Sequence, residues 1–340
     1  MSSAYTRIKR HEIKELIESE YGLKVINMHE GTKGILIYTQ TGTKMFKKAK
    51  RDEAKIQFAA SAYEYLTDKG FINISKINKA LSGQYIISFN NSKYLLLDFV
   101  SGKLMEIKTP SDAAKAAKAL AMLHKAGEGF VPAQGSHARV DWGRWMDKFK
   151  VNAINIKRYQ KNLQDKKELS KFDKLYLKYA EEYYQRMFDA YLTLRNFGYL
   201  EKVQQSMQQN QLAHKEFRRH SLFLTDSNEV FVSNMENCAF DIREVDIAAL
   251  MESLSGKNKA EQASTALKAY SDIIKLDRRS IKLIQGFVLE PKRFYKVIEK
   301  YYGRKKNFTE TELVNKLERA IKKEIRKTAV LEALEDYRTL

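Results

Sequence analysis

The segment LAHKEFRRHSLFL, residues 212–224, carries polar residues at a spacing that could support phosphoryl transfer. Glu216 lies two positions after His214, and Ser221 follows five positions later. In this chemistry a carboxylate accepts the proton of the attacking hydroxyl, and a polar residue farther along the loop helps to hold a metal ion. Asp and Asn suit those two positions best, so Glu216 and Ser221 indicate a weakened form of the same site.

A second candidate is the lysine-rich segment TKMFKKAK, residues 43–50, whose pattern predicts a strand. Lys47 could hold the phosphates of a nucleotide, and Lys48 would then face the opposite side of the strand. Such a Lys needs an acidic partner on the following helix. Glu53 comes too early in that helix and Glu64 too late, so the partner of Lys47 stays open.

The elements that would position these residues change character along the chain. Three predicted strands in residues 23–50, a helix over 52–67 and two further strands in 83–100 are joined by turns short enough for antiparallel pairing. Beyond them, Thr109, Pro110 and Asp112 predict a capped helix start, and Gly127 its end. Residues 142–210 are predicted to be almost wholly helical. A short strand pair follows in 222–234, and helices then continue to the end.

The composition narrows the class of protein. Hydrophobic residues make up 44% and charged residues 30%, which is typical of a globular chain. No apolar run is long enough to span a bilayer, and the N-terminal residues lack the apolar core of a signal peptide. The single Cys238 fits synthesis in a reducing cytosol. A net charge of +19 predicts attraction to anionic partners without choosing among them.

The region from Leu212 to Leu250 resembles the catalytic core of aminoglycoside and choline phosphotransferase-like kinases. Within that superfamily the chain is most similar to the CotS-type spore coat proteins of spore-forming bacteria. The stretches AAKALAMLHKAGEGFVP (116–132) and LEPKRFYKVIEKYYGRKKNFTETELVNKL (289–317) agree with that group. The resemblance implies an α+β, two-lobed protein-kinase-like fold, with a small antiparallel-sheet lobe at 1–97, a hinge at 98–103 and a helical lobe at 104–340.

The resemblance also implies roles for individual residues. Glu216 occupies the position of the catalytic Asp, and His214 accompanies it. The residues that would bind the cofactor are Lys47, Asp98 and Val100. The residues that would form a weakened metal site are Ser221, Asn234 and Glu236. The family pattern is approximately Ile-Asp-Phe-Asp where this chain has Ser-Asn-Met-Glu, so the neutral Asn234 replaces a metal-binding Asp.

These changes favour lost or very slow phosphoryl transfer. The implied function is that of a kinase-like pseudokinase, made in the mother cell and acting by binding in the spore coat, with other coat proteins as partners. The alternative is a slow ATP-dependent phosphotransferase acting on a small-molecule or protein hydroxyl, with ATP and Mg²⁺ as candidate cofactors. Both predict that Lys47, Glu216 and Asn234 meet around one cavity.

Competing functions have less support. His214 and Glu216 match half of a zinc deaminase site, but the paired Cys ligands are missing because Cys238 is the only Cys. Basic clusters at 47–51, 303–308 and 320–327 could contact nucleic acid, yet no reading module accompanies them, so nucleic-acid binding is not expected. Arg218 and Arg219 could instead form an anion site within the loop, or simply belong to the basic surface.

Overall fold

The computed structural model describes residues 9–31, 34–99, 102–256, 259–303 and 308–337. Val100, predicted to bind the cofactor, lies outside the described residues. The chain packs as two compact units that are interleaved along the sequence. The first unit comprises Met1–Glu106, Met122–Val140 and Asn210–Phe240. The second comprises Ile107–Ala121, Asp141–Gln209 and Asp241–Leu340. The predicted lobes are instead continuous stretches, and their bounds at 97 and 103 stay a prediction.

The secondary structure follows the predicted change from strands to helices. The strands are β1 (Val25–Gly31), β2 (Gly34–Thr39), β3 (Gly42–Lys48), β4 (Ile77–Asn78), β5 (Ile87–Phe89), β6 (Ser92–Asp98), β7 (Gly102–Leu104), β8 (Leu212–Ala213), β9 (Leu222–Thr225), β10 (Val230–Val232) and β11 (Ala239–Phe240). The helices are α1 (Arg10–Tyr21), α2 (Glu53–Asp68), α3 (Pro110–Ala126), α4 (Arg144–Lys161), α5 (Lys171–Asn196), α6 (Tyr199–Gln208), α7 (Glu244–Ser253), α8 (Ala260–Ser271), α9 (Arg278–Leu289), α10 (Lys292–Tyr302), α11 (Glu310–Ile325) and α12 (Thr328–Asp336).

The first unit is built on an antiparallel sheet in the order β1-β2-β3-β6-β4, with β5 also paired to β6. The predicted antiparallel character is therefore confirmed. Side chains alternate between the faces of each strand, so Phe46 enters the core while its neighbour Lys47 leaves it. The Phe46 ring stacks on Tyr94 of β6 at 4.7 Å between centroids. This packing fixes the register of β3 and therefore the direction of Lys47.

The first unit also contains the polar loop between β8 and β9. The short strand β8 pairs with β11, and β9 pairs with both β7 and β10. The chain therefore enters the loop from one small sheet and leaves it into another. The β9–β10 hairpin then returns the chain to Asn234, close to where the loop ends. These two small sheets bring residues 214–221 and 233–236 together.

The second unit is helical, and its core is rich in aromatic side chains. Trp145 and Phe149 of α4 pack edge-to-face against Phe287 of α9.

The predicted start of α3 is confirmed, because Thr109 Oγ1 accepts from the Asp112 amide at 3.1 Å and the Asp112 carboxylate accepts from the Thr109 amide at 2.9 Å. No helix in the described part of the chain is long and apolar enough to cross a membrane.

Candidate functional site

Lys47 lies near the end of β3 and is 16% exposed. Its ammonium donates to Oε1 of Glu236, which is 15% exposed and lies 189 positions later in the chain. The sequence left the partner of Lys47 open, and the structure supplies it. The sequence predicted Glu236 to be part of a weakened metal site, and no local pattern indicated that it pairs with Lys47.

The acidic residues of α2 bind elsewhere. The carboxylate of Glu53 accepts from the backbone amides of Tyr85 at 2.7 Å and Ile86 at 3.0 Å. Glu64 accepts from the Tyr85 hydroxyl at 3.4 Å. Both carboxylates therefore anchor the segment before β5, and Glu236 takes the place that a helix acid would have beside Lys47.

Glu236 lies in the short 3₁₀ turn Met235–Asn237. Burial by itself raises the pKa of this carboxyl, but the charge and hydrogen bond of Lys47 outweigh that effect, so the pKa of Glu236 lies below its ordinary value. Its second oxygen, Oε2, is buried and finds no hydrogen-bond partner among the described residues. Glu236 is therefore ionised, and its buried negative charge is stabilised mainly by Lys47.

His214 is fully buried at the start of the loop. Its Nδ1 accepts from the backbone amide of Glu216 at 3.2 Å, which leaves Nε2 to donate to the carbonyl oxygen of Ser233 at 2.8 Å. These partners assign the neutral tautomer with the proton on Nε2. Because both ring nitrogens are used, His214 joins the loop to the segment after β10.

Glu216 keeps its carboxylate in the loop, with 43% of the side chain exposed. Nε2 of His220 lies 3.5 Å from its Oε2. Lys215, the residue before it, adopts φ of +68°, in the left-handed region that a long side chain rarely occupies. Lys215 therefore places a strained backbone conformation directly before Glu216.

Ser221 and Asn234 bond to each other. The Asn234 side-chain amide donates to Ser221 Oγ at 2.8 Å, and that hydroxyl donates to the Glu216 carbonyl oxygen at 2.7 Å. Ser221 is fully buried. Asn234 has φ of +70°, a conformation that Asn tolerates better than most residues. The two predicted metal ligands therefore brace the loop.

Only Glu236 among the predicted metal ligands carries a negative charge, and its Oε2 has no hydrogen-bond partner among the described residues, so the three residues are a weak fit for a divalent cation. Ser221 uses its proton on a backbone carbonyl, Asn234 turns its amide nitrogen towards Ser221, and Glu236 is paired with Lys47. Mg²⁺ prefers carboxylate and phosphate oxygens in near-octahedral geometry. Within the described residues, no three His, Cys, Asp or Glu side chains are grouped where they could hold a metal ion.

A small pocket opens beside Lys47. Its lining combines apolar and polar side chains, namely Met45, Lys47, Ser75, Leu97, Asp98, Phe99, Phe223, Ser233 and Asn234. The sequence predicted that Lys47, Glu216 and Asn234 meet around one cavity, and only Lys47 and Asn234 line this pocket. Glu216 is not among the described residues that line it, and hydrogen bonds through Ser221 and His214 connect its backbone to the lining residues Asn234 and Ser233.

Asp98, predicted to bind the cofactor, does line this pocket. Its carboxylate pairs with Lys44 at 2.5 Å and accepts from the Asn78 amide at 2.9 Å. Its backbone carbonyl accepts from the Ser75 hydroxyl at 3.1 Å. The Asp98 charge is therefore satisfied inside the protein before any ligand arrives.

The arginines of the loop are less available than the sequence indicated. The Arg219 guanidinium pairs with Glu106 at 2.5 Å, and Arg218 is half-buried. An anion at this point would compete with Glu106 for Arg219. The anion site stays a prediction, with a competing carboxylate that the sequence did not reveal.

Two of the basic clusters each contain one lysine that is held inside the protein. Lys47 of the first cluster is paired inside the pocket, and most of the second cluster lies outside the described residues. In the third cluster Lys327 is completely buried. It bonds to the carbonyl oxygens of Val288 at 3.0 Å and Glu290 at 2.8 Å.

Solved structures show that this fold is protein-kinase-like. An aminoglycoside phosphotransferase from Alicyclobacillus acidocaldarius superposes with a TM-score of 0.80 at 15% identity, covering 98% of each chain. Choline kinase LicA from Streptococcus pneumoniae gives a TM-score of 0.52 at 15% identity, covering 92% of this chain and 97% of that one. The predicted fold class is confirmed.

The sequence comparison decides the family. The family model described as "Spore coat putative kinase YutH" matches residues 14–334. The chain belongs to this YutH family of spore coat proteins. Spore coat protein S of Bacillus subtilis (strain 168) is 22% identical over 284 residues, which cover 82% of this chain and 80% of that protein. The predicted resemblance and the assignment to the spore coat are confirmed.

Proposed function

We propose that this protein is a catalytically impaired pseudokinase of the spore coat that acts by binding other coat proteins. The observation that carries the proposal is that the residues expected to hold the nucleotide and the metal ion contact protein groups. Lys47 pairs with Glu236. The Asn234 amide donates to the Ser221 hydroxyl, which donates to the backbone carbonyl of Glu216. Groups that should face a nucleotide and a metal ion face each other instead.

Three substitutions weaken the chemistry further. The neutral Asn234 lacks the charge that holds Mg²⁺. The fully buried Ser221 has a short side chain whose hydroxyl is already engaged. Glu216 carries one methylene more than Asp, and a misplacement of roughly 1 Å can lower a rate about a hundredfold. Together they support loss of phosphoryl transfer within a fold that is preserved.

The coat partners are inferred from family and charge. The family is one of spore coat proteins, and the net charge of +19 favours acidic partners at low ionic strength. In this proposal the protein is synthesised in the mother cell and then incorporated into the coat, which agrees with its family and with its positive charge. Exposed basic residues would accelerate the encounter with acidic coat proteins more than they would strengthen the final complex.

A slow ATP-dependent phosphotransferase is the second candidate. The observation that favours it is the position of Lys47, which lines the pocket and is held there by a carboxylate. In an active enzyme of this fold, a Lys held by an acid contacts the nucleotide phosphates. Activity would then rely on Lys47, Glu216, Ser221, Asn234 and Glu236.

Thermal shift and phosphate release separate the two candidates. The protein is heated with ATP alone, with ATP and Mg²⁺, and with ATP and Mn²⁺, and phosphate release is measured in parallel. A pseudokinase gives no metal-dependent shift and no phosphate. A metal-dependent shift accompanied by phosphate release would establish the phosphotransferase.

A variant provides the matched positive control. Asn234→Asp restores the missing charge with almost no change of shape, and should gain a metal-dependent shift with ATP. Asn210→Asp makes the same chemical change at another residue with positive φ, outside the pocket lining, and should gain none. Equal behaviour of the two variants would show that the charge at residue 234 is not what limits metal binding.

A further inference from the structure

Helix α4 of the second unit leaves a line of side chains uncovered. The other side of the helix is buried, through Phe149, Asn152, Ala153, Ile156 and Tyr159. Val151 and Ile154 point away from that side and are 52% and 55% exposed. Residues three or four positions apart share one side of a helix, so these two continue into the exposed Asp147 before them and the exposed Arg158 after them. We call these four residues the α4 stripe.

The charges at the two ends of the α4 stripe are available to a partner. Neither Asp147 nor Arg158 forms an ion pair with another described residue, and the Arg158 guanidinium lies over the ring of the adjacent Tyr159 at 5.4 Å. Other charges on α4 are held within the chain. Arg144 pairs with Asp141 at 2.6 Å, and Lys157 pairs with Glu181.

The order of residues in the α4 stripe is self-complementary. Asp147 lies four positions before Val151, and Arg158 lies four positions after Ile154. When a second α4 runs antiparallel, with the two-fold axis midway between Val151 and Ile154, each Asp147 faces the Arg158 of the other copy. Val151 of each copy then faces Ile154 of the other. Steps of four, three and four residues are also the spacing with which two helices interdigitate along a seam.

We propose that the α4 stripe is a self-association surface, which pairs two copies of this chain through antiparallel α4 helices. A two-fold interface uses the same patch on both copies, and this patch has apolar side chains at its centre and opposite charges at its two ends. Burial of Val151 and Ile154 stabilises the contact, and the two ion pairs fix its register. The inference is independent of the proposed pseudokinase function, because the α4 stripe does not line the pocket beside Lys47.

The remaining charges determine how strong the pairing is. One pair of helices buries less than the roughly 1,200 Å² of a standard interface, so the association is weak. Exposed Lys150 and Lys161 lie beside the α4 stripe, and with a net charge of +19 two copies repel each other at long range. The screening length falls from about 10 Å in 0.1 M salt to about 3 Å in 1 M salt, so added salt should strengthen the dimer. An acidic partner on the same basic residues would instead be released by salt, and would leave Asp147 facing like charge.

Sedimentation equilibrium of the full chain tests the surface. The average mass should rise above the 39.5 kDa of one chain as the concentration is raised about a hundredfold, and more steeply in 1 M than in 0.1 M salt. Ile154→Lys should abolish this rise by placing two ammonium groups at the centre of the interface. Leu200→Lys is the matched control, since Leu200 is 54% exposed on another helix, and it should leave the association unchanged.

Charge reversal tests the antiparallel register. Asp147→Arg and Arg158→Asp should each raise the dissociation constant at least about tenfold, because like charges then face each other in both copies of the pair. The first change makes the chain more basic and the second less basic, so an effect of net charge alone would move the two constants in opposite directions. The double variant should recover most of the affinity. It also reverses favourable charges at both ends of α4, so its melting temperature should be the lowest of the three.

Each result bears directly on the proposal. A wild type that sediments as one chain at every concentration and salt overturns it. So does association that persists in Ile154→Lys, or a double variant that associates no better than the single variants. Association that weakens as salt is added, or a monomer that binds poly-glutamate through Lys150 and Lys161, overturns it in favour of an acidic partner. Association that salt strengthens, that Ile154→Lys abolishes and that the double variant recovers supports it.

Discussion

Replacing Lys47 with Met should destabilise the first unit by about 2–3 kcal/mol. Exposed ion pairs contribute at most about 1 kcal/mol, and breaking a fully buried pair costs about 3–5 kcal/mol. Lys47 and Glu236 are 16% and 15% exposed, which places them between these limits and nearer the buried one. The variant removes the ammonium from a carboxylate whose other oxygen has no partner among the described residues.

A double-mutant cycle isolates the pair. Lys47→Met and Glu236→Gln are measured singly and together, and the double variant should lose less stability than the two single losses combined, because no buried charge remains. Lys50→Met, at an exposed lysine just after β3, is the matched control and should stay within about 0.5 kcal/mol of the wild type.

The assay must report on the first unit. Both tryptophans, Trp142 and Trp145, lie in the second unit, so urea unfolding is followed by far-ultraviolet circular dichroism, with hydrogen exchange of β3 and β6 as a local readout. A coupling energy below about 0.5 kcal/mol would refute the reasoning, since it would mean that the pair behaves as a surface contact.

The same pair predicts a dependence on pH. Because the pKa of Glu236 is lowered in the folded protein, its contribution to stability is complete above the unfolded pKa of about 4.3. That contribution is lost as the pH falls through the lower folded pKa. The stability difference between wild type and Lys47→Met should therefore shrink in acid, and a difference that grows below pH of about 4.3 would contradict the assignment.

Three further variants test other parts of the structure by urea unfolding. Lys327→Met should cost about 3–5 kcal/mol, because the buried carboxylates of Glu252 and Glu324 lose an ammonium at 3.1 and 2.7 Å; a loss below about 1 kcal/mol would contradict this. Thr109→Ala should cost about 1 kcal/mol through loss of the helix cap, and an unchanged midpoint would exclude that role. Lys215→Asn should gain about 0.5–1 kcal/mol by relieving the left-handed strain, whereas a loss would show that the Lys side chain contributes more than the strain costs.

Local sequence patterns predicted most of the elements. Alternation located β1, β2 and β3, and the Thr109–Asp112 spacing located the start of α3. Both patterns span only a few residues, and over that distance the backbone geometry of a strand or a helix start determines which side chains meet. The order and spacing of motifs around Glu216 also identified the superfamily before any contact was known.

The candidate site was predicted only in part. Lys47 and Asn234 do share a pocket, but the partner of Lys47, the bond between Ser221 and Asn234, and the pairing of Arg219 with Glu106 were not foreseen. Lys47 and Glu236, and likewise Arg219 and Glu106, are more than 100 positions apart, and a single sequence has no periodic signal for such contacts. Ser221 and Asn234 flank the predicted strand pair, but the pattern of a hairpin does not indicate which side chains bond at its ends. Glu236 was predicted to be part of a weakened metal site because of its position in the family's sequence pattern. Such a position indicates a role in the family, but it does not show which side chain Glu236 contacts in this protein.

The sequence by itself determined the elements, the helix cap, the family and the loss of a charge at residue 234, because these follow from residue type and short spacing. Tertiary structure alone decided where the charges are neutralised. An ionic group taken from water must find a partner, and which partner it finds depends on which strands and turns pack together. For Lys47 that partner is Glu236, and the pairing leaves a pocket whose charges are already satisfied.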